Sequence, residues 1–369
     1  MKVLLVANYK YDGSYSMQLF SNVLYCEMQK KGVDVNIISP RPIIGSIGAS
    51  YKGIGKWLGY VDRFILFPFY LGRIIKKYDI IHFCDHGSAV YIRKKWKIST
   101  IVTCHDMIAV RGALGEVSDC APSLLGKIQQ KMISNGIKKA TMVACVSEAT
   151  REDVERVLGV DYKSVVVNNG LNYDYKVLDK DEVSRRLKGV VPQGIRYMLH
   201  VGTNQPRKNR TTVIKILSAI SRHVDMYLVI AGRLLDGDLL KLAADLNVKN
   251  KIIQIYRPPA EMLEALYNKA EALVFPSHYE GFGWPVVEAQ ACGCPVIASD
   301  IKPFREILKN TAVLCGADDA DEMALHLINI CNNEKLREQM VISGKKNVDE
   351  NYSKLRMINR YIEHYEDLA

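Results

Sequence analysis

Glu280 and Glu288 bracket the stretch Gly281-Phe282-Gly283-Trp284-Pro285-Val286-Val287, so seven residues separate two carboxylates. Residues 272–275 are apolar and read as a buried strand, which Pro276 and Ser277 end. Gly281 and Gly283 let the backbone approach a ligand closely. Pro285 suits a first helical position, Gly293 closes the helix, and 295–298 begin the next strand. A helix start behind a glycine loop is a ready anion site. Glu288 lies about two turns beyond Glu280, at ~1.5 Å per residue. A carboxylate accepts two hydrogen bonds, which suits the paired hydroxyls of a sugar or ribose. The same spacing also suits Glu280 as a helix cap and Glu288 as a solvated surface acid, and pattern alone leaves both open.

Cations stand at a second glycine loop. Residues 198–201 read as a strand and run into Gly202-Thr203-Asn204-Gln205-Pro206-Arg207-Lys208-Asn209. A departing diphosphate needs donors at its oxygens and positive charge against its growing negative charge. Arg207 can fork onto two oxygens and Lys208 acts as a point charge; a solvated surface pair is the alternative. Two histidine segments follow strands: Ile81-His82-Phe83-Cys84-Asp85-His86 and Thr103-Cys104-His105-Asp106. His82 and His86 read as structural histidines. Metal ligation is set aside, because the two segments offer no ligand spacing and no third partner. We expect no metal and no cofactor.

Positioning these residues takes alternating strands and helices. Strands are expected at 3–7, 35–38, 80–83, 100–104, 142–146 and 165–167, then at 198–201, 228–231, 252–255, 273–275, 296–298 and 312–314. That alternation predicts an α/β protein with two Rossmann-like, doubly wound parallel sheets. The expected domains are 1–172 and 195–350, joined by a linker at 173–194 and followed by an amphipathic helix within 351–369. Ligands of such sheets bind beyond the carboxyl ends of the strands, in a cleft that the two domains face. In the loop after the first strand, Gly13 permits a tight turn and Ser14 could cap the next helix. Ser147 caps the helix that follows 142–146.

The E-x7-E segment within 274–300 resembles the signature of the family 4 retaining glycosyltransferases, also called glycosyl transferases group 1, and Thr103-Cys104-His105-Asp106 resembles their T-x-H-D segment. The resemblance covers most of the chain and implies the GT-B fold. It also implies transfer of a hexose from a GDP- or UDP-linked sugar to a glycan or lipid-linked acceptor, with retention and without a metal. It places Glu280 and His105 at the transferred sugar and Glu288 on the ribose. Gly281, Phe282 and Gly283 lie against sugar and diphosphate, with Lys208 and Arg207 on the diphosphate. Gly13, Gly202 and Thr203 line the donor, and Asp85 and His86 face the acceptor. Two departures stand out. Thr203 occupies the usual place of an arginine, and the first loop has Gly13-Ser14 in place of paired glycines.

Composition adds bounds. The 369 residues are 48% hydrophobic and 24% charged, enough for ordinary cores. Met1-Lys2 leads straight into a strand-like run, so no signal peptide is expected. Nine scattered cysteines fit reduced thiols in a cytoplasmic protein. The net charge is +10, and residues 1–100 alone hold 15 Lys and Arg against 6 Asp and Glu. That part therefore expects an anionic surface or substrate. Residues 51–77 mix aromatics with Lys52, Lys56, Arg63, Arg73, Lys76 and Lys77. They are too short in apolar run to span a bilayer, with Pro68 interrupting. They read as a core-facing helix with basic flanks or as an anionic-membrane contact on the inner face. No nucleic-acid motif is present, and nucleic acid is not expected as a partner. A nucleotide-sugar epimerase of the same architecture and a non-catalytic basic binding protein are the competing functions.

Overall fold

The structure, a computed structural model, describes residues 1–13, 15–45, 54–117, 120–159 and 163–369, with backbone alone over 54–57. Ser14, Lys52 and the side chain of Lys56 lie outside the described residues. The chain divides into two units, Met1–Asn172 with Lys354–Ala369, and Tyr173–Ser353.

Unit 1 holds β1 (Lys2–Val6), β2 (Asp34–Ile38), β3 (Ile80–Phe83), β4 (Ser99–Cys104), β5 (Met142–Cys145) and β6 (Ser164–Val166). They form a parallel sheet in the order β2-β1-β3-β4-β5-β6. Helices cover both faces, so these strands are apolar nearly throughout; Leu4, Leu5, Val6, Ile81 and Phe83 are fully buried. Unit 2 holds β7 (Tyr197–Gly202), β8 (Tyr227–Gly232), β9 (Ile252–Tyr256), β10 (Ala272–Phe275), β11 (Val296–Ser299) and β12 (Val313–Cys315), in the order β12-β11-β10-β7-β8-β9. Each expected strand appears within about two residues of its expected ends.

Both orders reverse once. In unit 1 the chain moves outward in one direction from β1 and in the other from β3, so β1 and β3 flank the reversal. In unit 2 the flanking strands are β7 and β10. At such a point the two carboxyl-end loops diverge and leave a crevice.

One expectation is corrected. The segment 173–194 is not a free linker but part of unit 2. Asp179 caps a helix, Lys180–Leu187, by accepting from the Glu182 N–H at 2.8 Å. Val183 and Leu187 are buried, and Arg186 pairs at 2.7 Å with the buried Glu264 of the helix Ala260–Lys269. The helix is short and mostly charged, so its composition resembled a linker. Pro68 lies within continuous helical backbone. Helical backbone runs from Ile54–Val61 through a π-turn, Asp62–Leu66, into Phe67–Ile74. Proline cannot donate to the preceding turn and its ring crowds that turn's carbonyl. The wider turn, closed by the Phe67 N–H on the Asp62 carbonyl, accommodates it. Phe67, Leu71 and Ile75 then face the core, each contributing roughly 1.5–3 kcal/mol by burial. Ile65, Phe69 and Tyr70 face solvent.

The last helix, Lys354–Leu368, belongs to unit 1 through a buried polar network. His82 sits between the Tyr365 hydroxyl at 2.6 Å and Thr103 Oγ1 at 2.7 Å, and Thr103 meets the Tyr361 hydroxyl at 2.8 Å. His82 is thus structural, as expected.

Candidate functional site

In unit 2 the candidate residues gather where β7 and β10 end. After Gly202 the chain makes a short turn, Pro206–Lys208, and Asn209 adopts a left-handed conformation (φ 51°) that caps the helix Arg210–Ile220. This turn aims Arg207 and Lys208 at the loop after β10. Lys208 Nζ lies 2.5 Å from Glu280 Oε1, and an Arg207 guanidinium nitrogen lies 3.2 Å from Glu280 Oε2. Arg207 also donates to the Tyr279 carbonyl at 3.0 Å. Glu280 is 7% exposed. Burial pushes its carboxyl up, but Lys208 and Arg207 outweigh burial and hold it below the usual range. The glutamate is therefore a fixed anion between two cations. Glu280 does not cap the following helix; Gly283 occupies that position.

The loops are held from below. Arg210, buried, donates to the carbonyls of Gly202 at 2.8 Å and Arg233 at 2.7 Å and also to Asn204 Oδ1. Burial lowers its pKa to about 10, so it remains charged at neutral pH. His200 donates from Nδ1 to the Val274 carbonyl at 3.1 Å, and burial, with Arg210 and Lys208 nearby, lowers its pKa to about 3. The neutral ring keeps Nε2 as an acceptor. Arg210 and His200 escaped sequence reading, because each lies outside the loop it supports. Gly202 and Gly232 sit so close that a Cβ on Gly232 would lie 2.0 Å from the Gly202 oxygen. At Gly283 φ is 97°, and an added Cβ would meet the Phe304 ring at 2.5 Å. Only glycine fits there. The helix Trp284–Ala291 starts immediately after it. Phe282 is buried between Trp284 and Tyr352.

Two further residues of unit 2 carry buried polar atoms. Glu288 is not a solvated surface acid: it is 4% exposed and accepts from the buried Tyr267 hydroxyl at 2.9 Å. Thr203 has its Oγ1 buried without a hydrogen-bond partner among the described residues. The charge of this loop pair, Arg207, Lys208 and Arg210 against Glu280, is net positive, which favours an anion.

Unit 1 gathers a different set where β1 and β3 end. Asp85, 9% exposed, caps a short turn, His86–Tyr91, by accepting from the Gly87 N–H. Burial raises its pKa, but His86, His105, the Gly87 N–H and the Asn8 side chain together lower it below the usual range. His105, 7% exposed, donates from Nε2 to the Cys84 carbonyl at 2.9 Å and meets Phe20 edge-on. Burial lowers its pKa. In the neutral ring Nδ1 is therefore an acceptor, suited to a hydroxyl donor. Gly13 is left-handed at φ 73°, with open space where a Cβ would stand.

Sequence reading missed Asn8, Asp12 and Arg63 here. An Arg63 guanidinium nitrogen stands 3.5 Å from Asp12 Oδ2 and is 16% exposed, so Arg63 is not part of a solvated basic surface. The π-turn carries it inward, and the stretch contains no local signal for that. Among the described residues, one cluster, Cys315, Glu322 and His326, brings potential metal-ligand atoms within 4.8 Å of one another. It lies at β12 and the helix Ala320–Asn332, outside both loop sets.

A family model for Glycosyl transferases group 1 matches residues 185–347, and one for Glycosyltransferase Family 4 matches residues 23–175. O-antigen chain mannosyltransferase RfbU of Salmonella typhimurium is 28% identical over 62% of this chain and 63% of its own length. A D-inositol 3-phosphate glycosyltransferase of Thermobispora bispora is 28% identical over 70% of this chain and 63% of its own length. The chain thus spans just under two thirds of these relatives. Anabaena HepE, crystallised with UDP and glucose, matches with a TM-score of 0.76 and 15% identity over 99% of both chains. At that identity the likeness concerns the fold.

Proposed function

The chain belongs to glycosyltransferase family 4 and has the GT-B fold, and from that premise we propose that it moves a hexose from a GDP- or UDP-linked sugar to a glycan or lipid-linked acceptor, with retention and without a metal. The observation that carries this reading is the ionic contact of Lys208 and Arg207 with Glu280 at the strand reversal of unit 2. When the bond from the anomeric carbon to the diphosphate breaks, its electron pair stays on the phosphate oxygen. Lys208 and Arg207 offset that charge, as preorganised cations do in other phosphate departures. Glu280 orients sugar hydroxyls and Glu288 holds the ribose. The mannosyltransferase name of RfbU favours mannose as the sugar. The names of the two relatives also bracket two acceptor types, a glycan chain and a phosphorylated polyol.

Glu280→Ala and Lys208→Ala are each expected to reduce transfer at least a hundredfold while the circular dichroism spectrum still shows a folded chain, with a lowered melting temperature from the broken buried ion pair. Near-normal turnover by a folded variant would overturn its assigned role.

Two exposed stretches of unit 1 support a location at the inner membrane surface. Ile65, Phe69 and Tyr70 stand beside Arg73, Lys76 and Lys77. On the helix Leu124–Ile137, Leu124, Leu125, Ile128 and Met132 are exposed among Lys127 and Lys131. Apolar side chains with adjacent cations suit an anionic interface. No helix among the described residues is long and apolar enough to cross a membrane. Serine at Arg73, Lys76 and Lys77 should reduce pelleting with phosphatidylglycerol vesicles; equal recovery would remove this location.

A further inference from the structure

We infer that Cys315, Glu322 and His326 form a binding site for one divalent cation of the zinc class, which staples β12 to the helix Ala320–Asn332. The inference stands apart from the transferase reading. The spacing of these residues matches no common zinc motif, so sequence reading, which expected no metal, passed over them.

The elements come first. Cys315 is the last residue of β12 and is 3% exposed. It pairs with Ser299 of β11, and its carbonyl accepts from the Asp300 N–H at 2.7 Å. The sulfur therefore hangs from a fixed backbone. Asp319 then caps the helix by accepting from the Glu322 N–H at 2.9 Å. Met323, Ala324, Leu327 and Ile330 are buried and fix the rotation of that helix. Glu322 and His326 stand one turn apart on it and so share a face. The Cys315 sulfur, a Glu322 oxygen and a His326 nitrogen all lie within 4.8 Å of one another.

The second argument is coordination chemistry. A zinc-class cation bonds sulfur at about 2.3 Å and imidazole nitrogen or carboxylate oxygen at about 2.1 Å, so tetrahedral neighbours stand roughly 3.5 Å apart. Closure on a cation then takes movements on the order of 1 Å. The exposed Glu322 and the half-buried His326 have room to make them. Thiolate and imidazole select zinc, cobalt(II) and similar ions, whereas magnesium and calcium take oxygen ligands. The charges balance: thiolate and carboxylate supply two negative charges against the dication, and the imidazole stays neutral. The thiol proton passes to solvent as the sulfur–metal bond forms. A water completes the four ligands.

Charge is the third argument. Burial, and then the negative charge of Glu322, Asp319 and Asp300, push the Cys315 thiol up to about 12. The acidic surroundings that hold a proton on sulfur also attract a cation in its place. Arg305 offsets part of that charge by pairing with Asp300 at 2.8 Å. The loop 316–319 lies between the ligands. Its Ala317 carbonyl accepts from Asn209 Nδ2 at 2.8 Å, and Asp318 Oδ1 lies 2.9 Å from His278 Nε2. A cation on Cys315, Glu322 and His326 ties both ends of this loop.

The test titrates the full, reduced chain with cobalt(II), whose thiolate complex absorbs in the near ultraviolet and whose tetrahedral complex absorbs in the visible. One equivalent should produce both bands. Zinc should displace the cobalt, and a hundredfold excess of magnesium should not. Cys315→Ser should abolish the near-ultraviolet band. Glu322→Gln and His326→Ala lie at less buried positions, should each weaken cobalt binding at least tenfold, and test the site even where Cys315→Ser unfolds. Cys26→Ser removes an exposed thiol of unit 1 and should bind as the wild type does. Zinc should raise the melting temperature of the wild type but not of His326→Ala. No thiolate band in the wild type, a band that survives in Cys315→Ser, or undiminished binding by Glu322→Gln and His326→Ala would each overturn the proposal.

Discussion

His82 and His200 are both fully buried, and burial holds each ring neutral, with pKa values lowered to about 3 from 6.5. An unfolded chain binds protons at these rings below about pH 6.5, whereas the folded chain resists them until about pH 3. Each histidine therefore withdraws stability as pH falls through that window, at about 1.4 kcal/mol per pH unit at most. Asp12 acts in the opposite direction: with its folded pKa raised to about 6, it adds stability as pH falls from about 6 towards 4. Comparison of variants separates the two. His82→Gln should cost stability at pH 7, because it disturbs the contacts with Tyr365 and Thr103. It should also flatten the loss between pH 6.5 and 4.5 in urea unfolding. An unchanged slope would mean that His82 is not held neutral. At neighbouring positions, the residue types that carry charge were legible in the sequence, but their partners were not. Lys208 and Glu280 stand 72 positions apart, and their contact depends on β7 lying beside β10.

At the scale of elements, Gly283 joins the β10 loop to its helix in a left-handed conformation against Phe304. Gly283→Ala should destabilise the chain by roughly 2–4 kcal/mol, from strain and overpacking together. Phe304→Leu in the same chain should recover part of the loss, measurable by urea unfolding. Equal destabilisation by both the single and the double variant would exclude the ring contact as the cause. The strands and the glycine loops were readable because parallel strands covered on both faces are short apolar runs, and glycine marks their ends. The helix Lys180–Leu187 was less so, although Asp179 and Glu182 form a capping pair. Its charged composition masked two buried apolar residues. The π-turn at Asp62–Leu66 has no periodic signature, so Arg63 read as one more surface cation.

At the scale of the whole molecule, the two sheets share a construction. Each has one strand reversal, and polar side chains gather beside each. In unit 2 Lys208 and Arg207 meet Glu280; in unit 1 Arg63 meets Asp12, while His86 and His105 act on Asp85. The cations of unit 2 suit an anion. The order of the strands was legible only in class, since alternation predicts parallel sheets but not which strands meet. The measurement that tests the central claim most directly is calorimetric titration of the full chain and its Lys208→Ala variant with UDP and GDP. One nucleotide should bind the wild type, and the folded variant should bind it at least tenfold more weakly, because a cation at the diphosphate is lost. Undiminished binding by the variant, or no binding of either nucleotide to the wild type, would contradict the account.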